Sequence, residues 1–156
     1  MTRQTLKTCL WFDGNAEEAA RFYVSVFKDR GDSGITGITP GPTGAALVVS
    51  FRMDGVEFLA LNGGPQFRFN EAVSLSVDCR SQEELDELWE KLSAGGSPVQ
   101  CGWLKDRYGL SWQIVPSVLP KLLADADRGR AQRVMDALMG MTKLDIRALE
   151  AAASAA

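Results

Sequence analysis

The chain has 156 residues, of which 46% are hydrophobic and 24% charged, so it can bury a core without disulfides or a structural metal. A net charge of -3 leaves no basic surface for nucleic acid, and no apolar run approaches the roughly 18 residues of a membrane span. The sequence contains no histidine, which excludes Ser-His and Cys-His pairs, a catalytic zinc and a facial-triad iron. Carboxylates alone could still hold a hard cation.

A strand, a helix cap and an amphipathic helix occur twice, in LWFDGNAEEAARFY and again in LSVDCRSQEELDELW. Asn15 with Glu18, and Ser81 with Glu84, place a capping side chain three residues before a glutamate, which predicts where both helices begin. Each helix presents one apolar face at helical spacing, formed by Ala19, Phe22, Tyr23, Val26 and Phe27 in the first and Leu85, Leu88, Trp89 and Leu92 in the second.

The segments after the two helices also match, which favours a duplicated module over two unrelated helices. ITGIT and ALVVSFRMDGVEFLALN follow the first helix, with a hairpin turn predicted at Asp54 and Gly55. SPVQCGW and LKDRYGLSWQIVP follow the second, with a turn around Tyr108 and Gly109. We therefore predict an α+β fold in which paired βαβββ modules, at about 5–64 and 70–116, form a curved eight-stranded mixed sheet. Helices would cover its convex face, and its concave face would hold a cavity.

Strand alternation predicts which side chains line that cavity. In AVSLSVD, Val73, Leu75 and Val77 alternate with small polar residues, and GLSWQIV alternates in the same way. If the apolar sets lie under the helices, the concave face carries Phe58, Asn62, Ser74, Ser76, Ser111 and Gln113. The alternative is that these are ordinary small residues where a curved sheet or another subunit approaches closely.

Aromatic residues could wall the same cavity, although core or interface packing is the usual role of such side chains. The stretch from Phe67 to Phe69 falls in the predicted crossover between modules, either over the cavity mouth or against a partner subunit. The full set is Trp11, Phe12, Phe67, Phe69, Trp103 and Tyr108.

A helical tail at about 117–152 follows Pro116 and Pro120, which interrupt the last strand. Two helices are predicted there, with apolar stripes that must be covered by the same subunit or, after exchange, by a partner. The stripes are Ala131, Val134, Met135, Leu138 and Met139 in the first helix and Leu144, Ile146 and Leu149 in the second.

The opening CLWFDGNAEEAARFY, the crossover GGPQFRFNEAVSLSV and the closing QCGWLKDRYGLSWQIVP resemble one family over nearly the whole chain. It is the PhnB-like branch, also labelled 3-demethylubiquinone-9 3-methyltransferase-like, of the vicinal oxygen chelate superfamily. That superfamily includes glyoxalase I, extradiol dioxygenases and bleomycin-resistance proteins. The resemblance implies a single glyoxalase/bleomycin-resistance-like domain over residues 1–156 and a homodimer.

The resemblance also implies four metal positions, which fall here on Thr8, Ala60, Ala72 and Gln113. Only Gln113 could ligate a metal, so we expect no metal, and Thr8 becomes a further cavity candidate. We also expect no cofactor and no methyl transfer. The Gly-rich loop and the acidic residue that usually bind S-adenosylmethionine in a parallel sheet are missing.

Two functions of different classes remain. The first is a metal-free homodimer that binds an unknown small molecule, without nucleic acid or membrane partners. The second is an enzyme of the glyoxalase/dioxygenase type, metal-independent or metal-dependent, whose candidate groups are Asp54, Glu57, Cys101, Lys105 and Asp106. A dimer with no ligand is a third, weaker interpretation. Cys9, Cys79 and Cys101 suggest reduced buried thiols, and the N-terminus lacks the apolar core of a signal peptide, so we expect a cytoplasmic protein.

Overall fold

A computed structural model describes residues 3–155 and confirms the α+β class. The chain divides into two compact units, one ending at Phe69 and the other starting at Asn70. The eight strands among the described residues lie in two four-stranded mixed sheets, one per unit, where we had predicted one sheet of eight. The difference arises because the hydrogen-bonded ladders of the described strands run between strands of the same unit. The assignment of both units to a single domain stays a prediction.

The first unit contains β1 (Thr8–Phe12), α1 (Ala16–Phe27), β2 (Gly34–Pro40), β3 (Ala46–Met53) and β4 (Val56–Asn62). Its sheet has the order β1-β4-β3-β2, with β1 parallel to β4 and the other pairs antiparallel. Asp54 and Gly55 connect β3 to β4 with φ of 51° and 81°. Positive φ at both central residues is what a two-residue hairpin loop requires, so the predicted turn is confirmed.

Aromatic stacking fixes α1 against one face of this sheet. The Tyr23 ring on α1 stacks on Phe51 of β3 at 6.2 Å between centroids, and Phe51 stacks on Phe58 of β4 at 5.5 Å. All three side chains are at most 6% exposed. The predicted apolar face of α1 is therefore the one that the sheet covers.

The start of α1 is where we predicted it, but its cap comes from a different residue. Asn15 occupies the N-cap position without a capping hydrogen bond from its side chain. The Ala16 N–H instead donates to Asn62 Oδ1 at 2.9 Å, and Asn62 Nδ2 donates to the Ala46 carbonyl at 2.9 Å. The last residue of β4 thus holds both the start of α1 and the start of β3.

The second unit repeats this order with β5 (Ser74–Cys79), α2 (Gln82–Ser93), β6 (Ser97–Pro98), β7 (Trp103–Lys105) and β8 (Ser111–Pro116). Its sheet has the order β5-β8-β7-β6, with β5 parallel to β8. The predicted cap of α2 is confirmed, since Ser81 Oγ accepts from the Glu84 N–H at 3.1 Å and Glu84 Oε2 accepts from the Arg80 N–H at 2.7 Å. The βαβββ module therefore occurs once in each unit, as predicted.

Within the described part of the tail there are three helices, α3 (Leu119–Leu123), α4 (Arg128–Met139) and α5 (Ile146–Ser154), where we had predicted two. Pro120 lies in the first turn of α3, a position where a missing N–H is harmless, so it helps to start a helix. On α4, Met135 and Met139 are 37% and 62% exposed, which corrects their assignment to the buried stripe. None of the described helices is long and apolar enough to cross a membrane.

The tail packs against the βαβββ module within the second unit of its own chain. Gln82 at the start of α2 donates through Nε2 to the Leu144 carbonyl at 3.0 Å and accepts from the Ile146 N–H at 2.8 Å. The Cys101 N–H donates to the Met141 carbonyl at 2.8 Å. Leu144 and Leu149 are fully buried within the chain, so their stripe needs no partner subunit to cover it.

Candidate functional site

One face of the second sheet carries most of the predicted site residues. Strand register places Ser111 of β8 between Ser74 of β5 and Lys105 of β7 in one row, and Gln113 between Ser76 and Trp103 in the next. Directly paired residues point to the same side of a sheet. We call this set the polar face, and it consists of Ser74, Ser76, Trp103, Lys105, Ser111 and Gln113.

The opposite face of the same strands lies under α2. Leu104, Trp112 and Ile114 alternate with the polar-face residues and are at most 1% exposed. They pack where Leu85 and Leu92 of α2 are also fully buried. Because successive side chains of a strand point to opposite faces, these strands have one apolar side and one polar side, and the polar side carries the candidate site.

Ser111 is the unusual member of the polar face. Its side chain is 1% exposed, and its Oγ has no hydrogen-bond partner among the residues that the structure describes. Leaving a buried hydroxyl unpaired costs about 1–3 kcal/mol, so folded proteins rarely do so without a functional reason. The arrangement can bond a polar atom supplied from outside the chain.

Two further side chains of the polar face are joined to each other. Gln113 Nε2 donates to Ser74 Oγ at 2.9 Å. An amide and a hydroxyl each donate and accept hydrogen bonds, so the pair can re-form around a bound molecule. Nothing in this chemistry requires a metal.

An ion pair lies at the end of the same face. Lys105 Nζ bonds to Glu71 Oε1, and Glu71 belongs to the turn that leads into β5. The hydrogen bond from Lys105, with a smaller contribution from the Glu71 N–H, lowers the pKa of the Glu71 carboxyl below its ordinary value. Glu71 is therefore an anion at neutral pH.

Asp106, one of the candidate catalytic groups, has a structural role in the turn between β7 and β8. Its carboxylate is 2% exposed and accepts from the Tyr108 N–H at 2.8 Å, the Leu110 N–H at 3.1 Å and Trp112 Nε1 at 2.9 Å. These bonds fix the turn between β7 and β8. Both oxygens of the Asp106 carboxylate are thus engaged by donors of its own turn and of Trp112.

The other candidate catalytic groups are also accounted for by local contacts. Glu57 accepts from Arg52 at 3.2 Å and pairs with Lys7 at 3.3 Å, and the hydrogen bond from Arg52, followed by that from Lys7, lowers the pKa of its carboxyl. Asp54 forms the β3–β4 turn. Cys101 Sγ lies 3.7 Å from Met139 Sδ. Of the three cysteines expected to be buried, only Cys79 is fully so, while Cys9 is exposed.

The candidates from the first unit lie on the helix side of their sheet, where Phe58 is buried and Thr8 is exposed. Phe58 is 6% exposed and stacks on Phe51, and Asn62 bonds to the backbone at the start of α1, so both point to the helix side of their sheet. Thr8 is directly paired with Phe58 and shares that side. Our expected orientation of these three residues was wrong because β4 is apolar on both faces, and the side that faces α1 carries Phe58, Ala60 and Asn62 rather than the residues between them. Val73, expected under α2, precedes β5 and is 62% exposed.

The positions implied for a metal do not fit one. Ala60 is fully buried on the helix side, and Ala72 precedes β5 with no donor in its side chain. Among residues 3–155, no three His, Cys, Asp or Glu side chains are grouped so that they could hold a metal ion. The donor chemistry of this chain thus disagrees with the chelating site that gives the superfamily its name.

Sequence reasoning placed the serines and Gln113 on one face but missed what accompanies them. Extending the alternation through Trp103, Leu104 and Lys105 would have assigned Trp103 and Lys105 to the face opposite the apolar Leu104, whereas the pairing of Lys105 with Ser111 depends on strand register. Glu71 lies in a turn, where no periodic pattern exists to indicate its partner. Its ion pair with Lys105 could be found only from the structure.

Comparison with known proteins identifies a family match. Residues 4–115 match the family model described as 3-demethylubiquinone-9 3-methyltransferase. The solved structure of the PhnB protein from Bacillus cereus, a 3-demethylubiquinone-9 3-methyltransferase by name, is 32% identical, with a TM-score of 0.66. That match covers 73% of this chain and 100% of the other.

Two more distant structures show the likeness of fold alone. Protein PA1353 from Pseudomonas aeruginosa is 18% identical with a TM-score of 0.59, covering 73% of this chain and 98% of that one. FosX, a genomically encoded fosfomycin resistance protein from Listeria monocytogenes, is 18% identical with a TM-score of 0.56, covering 80% and 100%. No curated protein matches this chain.

Proposed function

The chain belongs to the PhnB-like, 3-demethylubiquinone-9 3-methyltransferase family of the vicinal oxygen chelate superfamily, and from that membership we propose that it binds a small organic molecule without a metal. The binding surface is the polar face of the second sheet. The protein is proposed to act as a homodimer, as the family resemblance implies.

The unpaired hydroxyl of Ser111 carries this proposal. A buried polar atom without a partner destabilises the free protein, and a ligand atom that bonds to it recovers the lost interaction. Gln113 and Ser74 add an adjustable hydrogen-bonding pair beside it. A small number of polar groups that converge on a well-packed scaffold is typical of small-molecule sites.

Methyl transfer, which the family name suggests, has no support in the architecture. Parallel pairing among the described strands is confined to β1 with β4 and β5 with β8. A dinucleotide-type site for S-adenosylmethionine would need a doubly wound parallel sheet with a Gly-rich turn entering a helix. The enzyme alternative is likewise not favoured, because Asp106 and Glu57 are held by structural bonds.

A fragment screen tests the proposal directly. Two-dimensional amide NMR spectra of the protein in excess EDTA are recorded with a library of small organic fragments. We expect bound fragments to shift the amides of Ser74, Ser111 and Gln113. We expect Ser111→Ala to lower the affinity for those fragments about five-fold or more, because it removes one hydrogen bond of roughly 1 kcal/mol.

The same variant provides a second readout. Since the Ser111 hydroxyl has no partner, Ser111→Ala keeps or raises the stability of the ligand-free protein in urea. The control is Ser25→Ala, whose hydroxyl bonds to the Phe22 carbonyl on the surface of α1, and this variant leaves fragment affinity unchanged. Fragments that bind elsewhere, or only after a divalent metal is added, would refute the proposal.

A further inference from the structure

The Lys105–Glu71 ion pair spans the part of the polar face that contains Ser111. Lys105 lies on β7, Glu71 precedes β5, and β8 runs between these two strands. Ser111 is the β8 residue paired with Lys105 on one side and with Ser74 on the other. The pair therefore bridges the row in which the unpaired hydroxyl lies.

The side chain of Glu71 is placed so that it can move away from Lys105 without disturbing the sheet. It belongs to a turn outside the strands, and its side chain is 60% exposed, while that of Lys105 is 34% exposed. Ion pairs with this degree of exposure contribute little to stability, because water solvates both partners almost as well. Moving Glu71 outward breaks no strand pairing in the second sheet.

Trp103 adds an apolar component next to these groups. It is half-buried and is paired with Gln113 one row away from Lys105. An indole face binds a flat organic ring, and a lysine ammonium binds an anion. One molecule with a ring and a charged end could therefore contact Trp103 and Lys105 together.

We propose that the ligand of the polar face is an organic carboxylate and that Glu71 is an internal stand-in for it. The ligand carboxylate replaces that of Glu71 on Lys105 and accepts a hydrogen bond from the Ser111 hydroxyl, while its apolar body lies against Trp103. This inference rests on the proposed function, and it adds the charge class of the ligand and the group with which the ligand competes.

Binding of benzoate, compared with its neutral counterpart benzamide, tests this competition. Both are titrated by NMR at constant ionic strength into the parent protein and into Glu71→Gln and Lys105→Gln. Removing the competing carboxylate in Glu71→Gln tightens benzoate about five-fold, the equivalent of about 1 kcal/mol, and leaves benzamide unchanged. Lys105→Gln abolishes the preference for benzoate.

Glu87→Gln is the matched control. Glu87 pairs with Lys91 on α2 with side chains 61% and 41% exposed, so the variant removes the same charge from a similar ion pair within the same unit. We expect benzoate affinity to stay within two-fold of the parent there. An equal effect of Glu71→Gln and Glu87→Gln would overturn the inference, because net charge alone would then explain the change.

The outcomes separate this inference from the proposed function. If benzoate and benzamide bind equally, with shifts at Ser111 and the same sensitivity to Ser111→Ala, the polar face is a binding site but the carboxylate preference is wrong. If neither compound shifts Ser111 or Gln113 in any variant, both the inference and the binding site fail. If the preference for benzoate is lost in Lys105→Gln and is enhanced in Glu71→Gln but not in Glu87→Gln, the result supports both the inference and the proposed function.

Discussion

Asp106 and Ser111 are the buried polar residues among those that the structure describes, and they differ in one respect. Asp106 satisfies its carboxylate with backbone and indole donors, whereas the Ser111 hydroxyl is left without a partner. Burial alone therefore does not identify a site. The distinguishing property is an unsatisfied hydrogen bond, which a stable fold usually avoids.

Replacing Asp106 tests its structural role. In Asp106→Asn the amide NH₂ faces the indole N–H of Trp112 or the backbone N–H groups of the turn, so at least one donor loses its acceptor. We expect a loss of about 2 kcal/mol in the free energy of unfolding, measured in urea. Asp29→Asn, at an exposed position, is the control and should change stability little. A variant as stable as the parent would show that these bonds do not fix the turn.

The helices show how far local sequence determines an element. The cap of α2 could be predicted from a short sequence pattern, because Ser81 and Glu84, whose side chains form it, lie three residues apart. The Asn15 pattern is just as good, yet the amide that bonds to the start of α1 comes from Asn62, 46 residues away. A local pattern predicts that a helix starts, but tertiary contacts decide which side chain satisfies its first N–H.

A pair of variants measures this difference. Asn62→Ala removes an acceptor for the Ala16 N–H and a donor to the Ala46 carbonyl, so it should cost about 1–2 kcal/mol of unfolding free energy. Asn15→Ala, which removes no capping bond, should stay within about 0.5 kcal/mol of the parent. Thermal and urea unfolding provide the comparison, and equal losses in the two variants would contradict this account of α1.

Strand orientation was predictable in one unit and not in the other. In β8, the polar Ser111 and Gln113 alternate with the apolar Trp112 and Ile114, so the buried side can be recognised from sequence. In β4, VEFLALN is apolar at both parities, and the choice of Phe58 for the open side was wrong. Alternation predicts a face only where the two sides of a strand differ in chemistry.

At the scale of the whole molecule, duplication supplies the scaffold and leaves the chemistry to a few positions. Both units have the same βαβββ order and the same parallel pairing of first and last strands. The fold follows from this repetition, which is why it could be predicted from sequence. The ligand could not be predicted, because the groups proposed to bind it come from β5, β7 and β8, which only the folded sheet brings together. Glu71, the group proposed to compete with the ligand, comes from a turn.

The packing of the tail bears on whether the subunits of the proposed homodimer exchange their tails. Leu144 and Leu149 of its second apolar stripe are buried by its own chain, which the Gln82 bonds hold in place. Exchange of the tail between subunits is therefore unnecessary for burying these side chains. The homodimer itself stays a prediction from the family resemblance.

Native mass spectrometry of the freshly purified protein tests the central claim most directly, since one spectrum reports subunit count, bound metal and any organic adduct. The account predicts a metal-free dimer that carries a small organic acid, with the adduct lost or weakened in Ser111→Ala. One tightly held divalent ion per chain would contradict it, because such an ion would require ligands that the polar face does not contain.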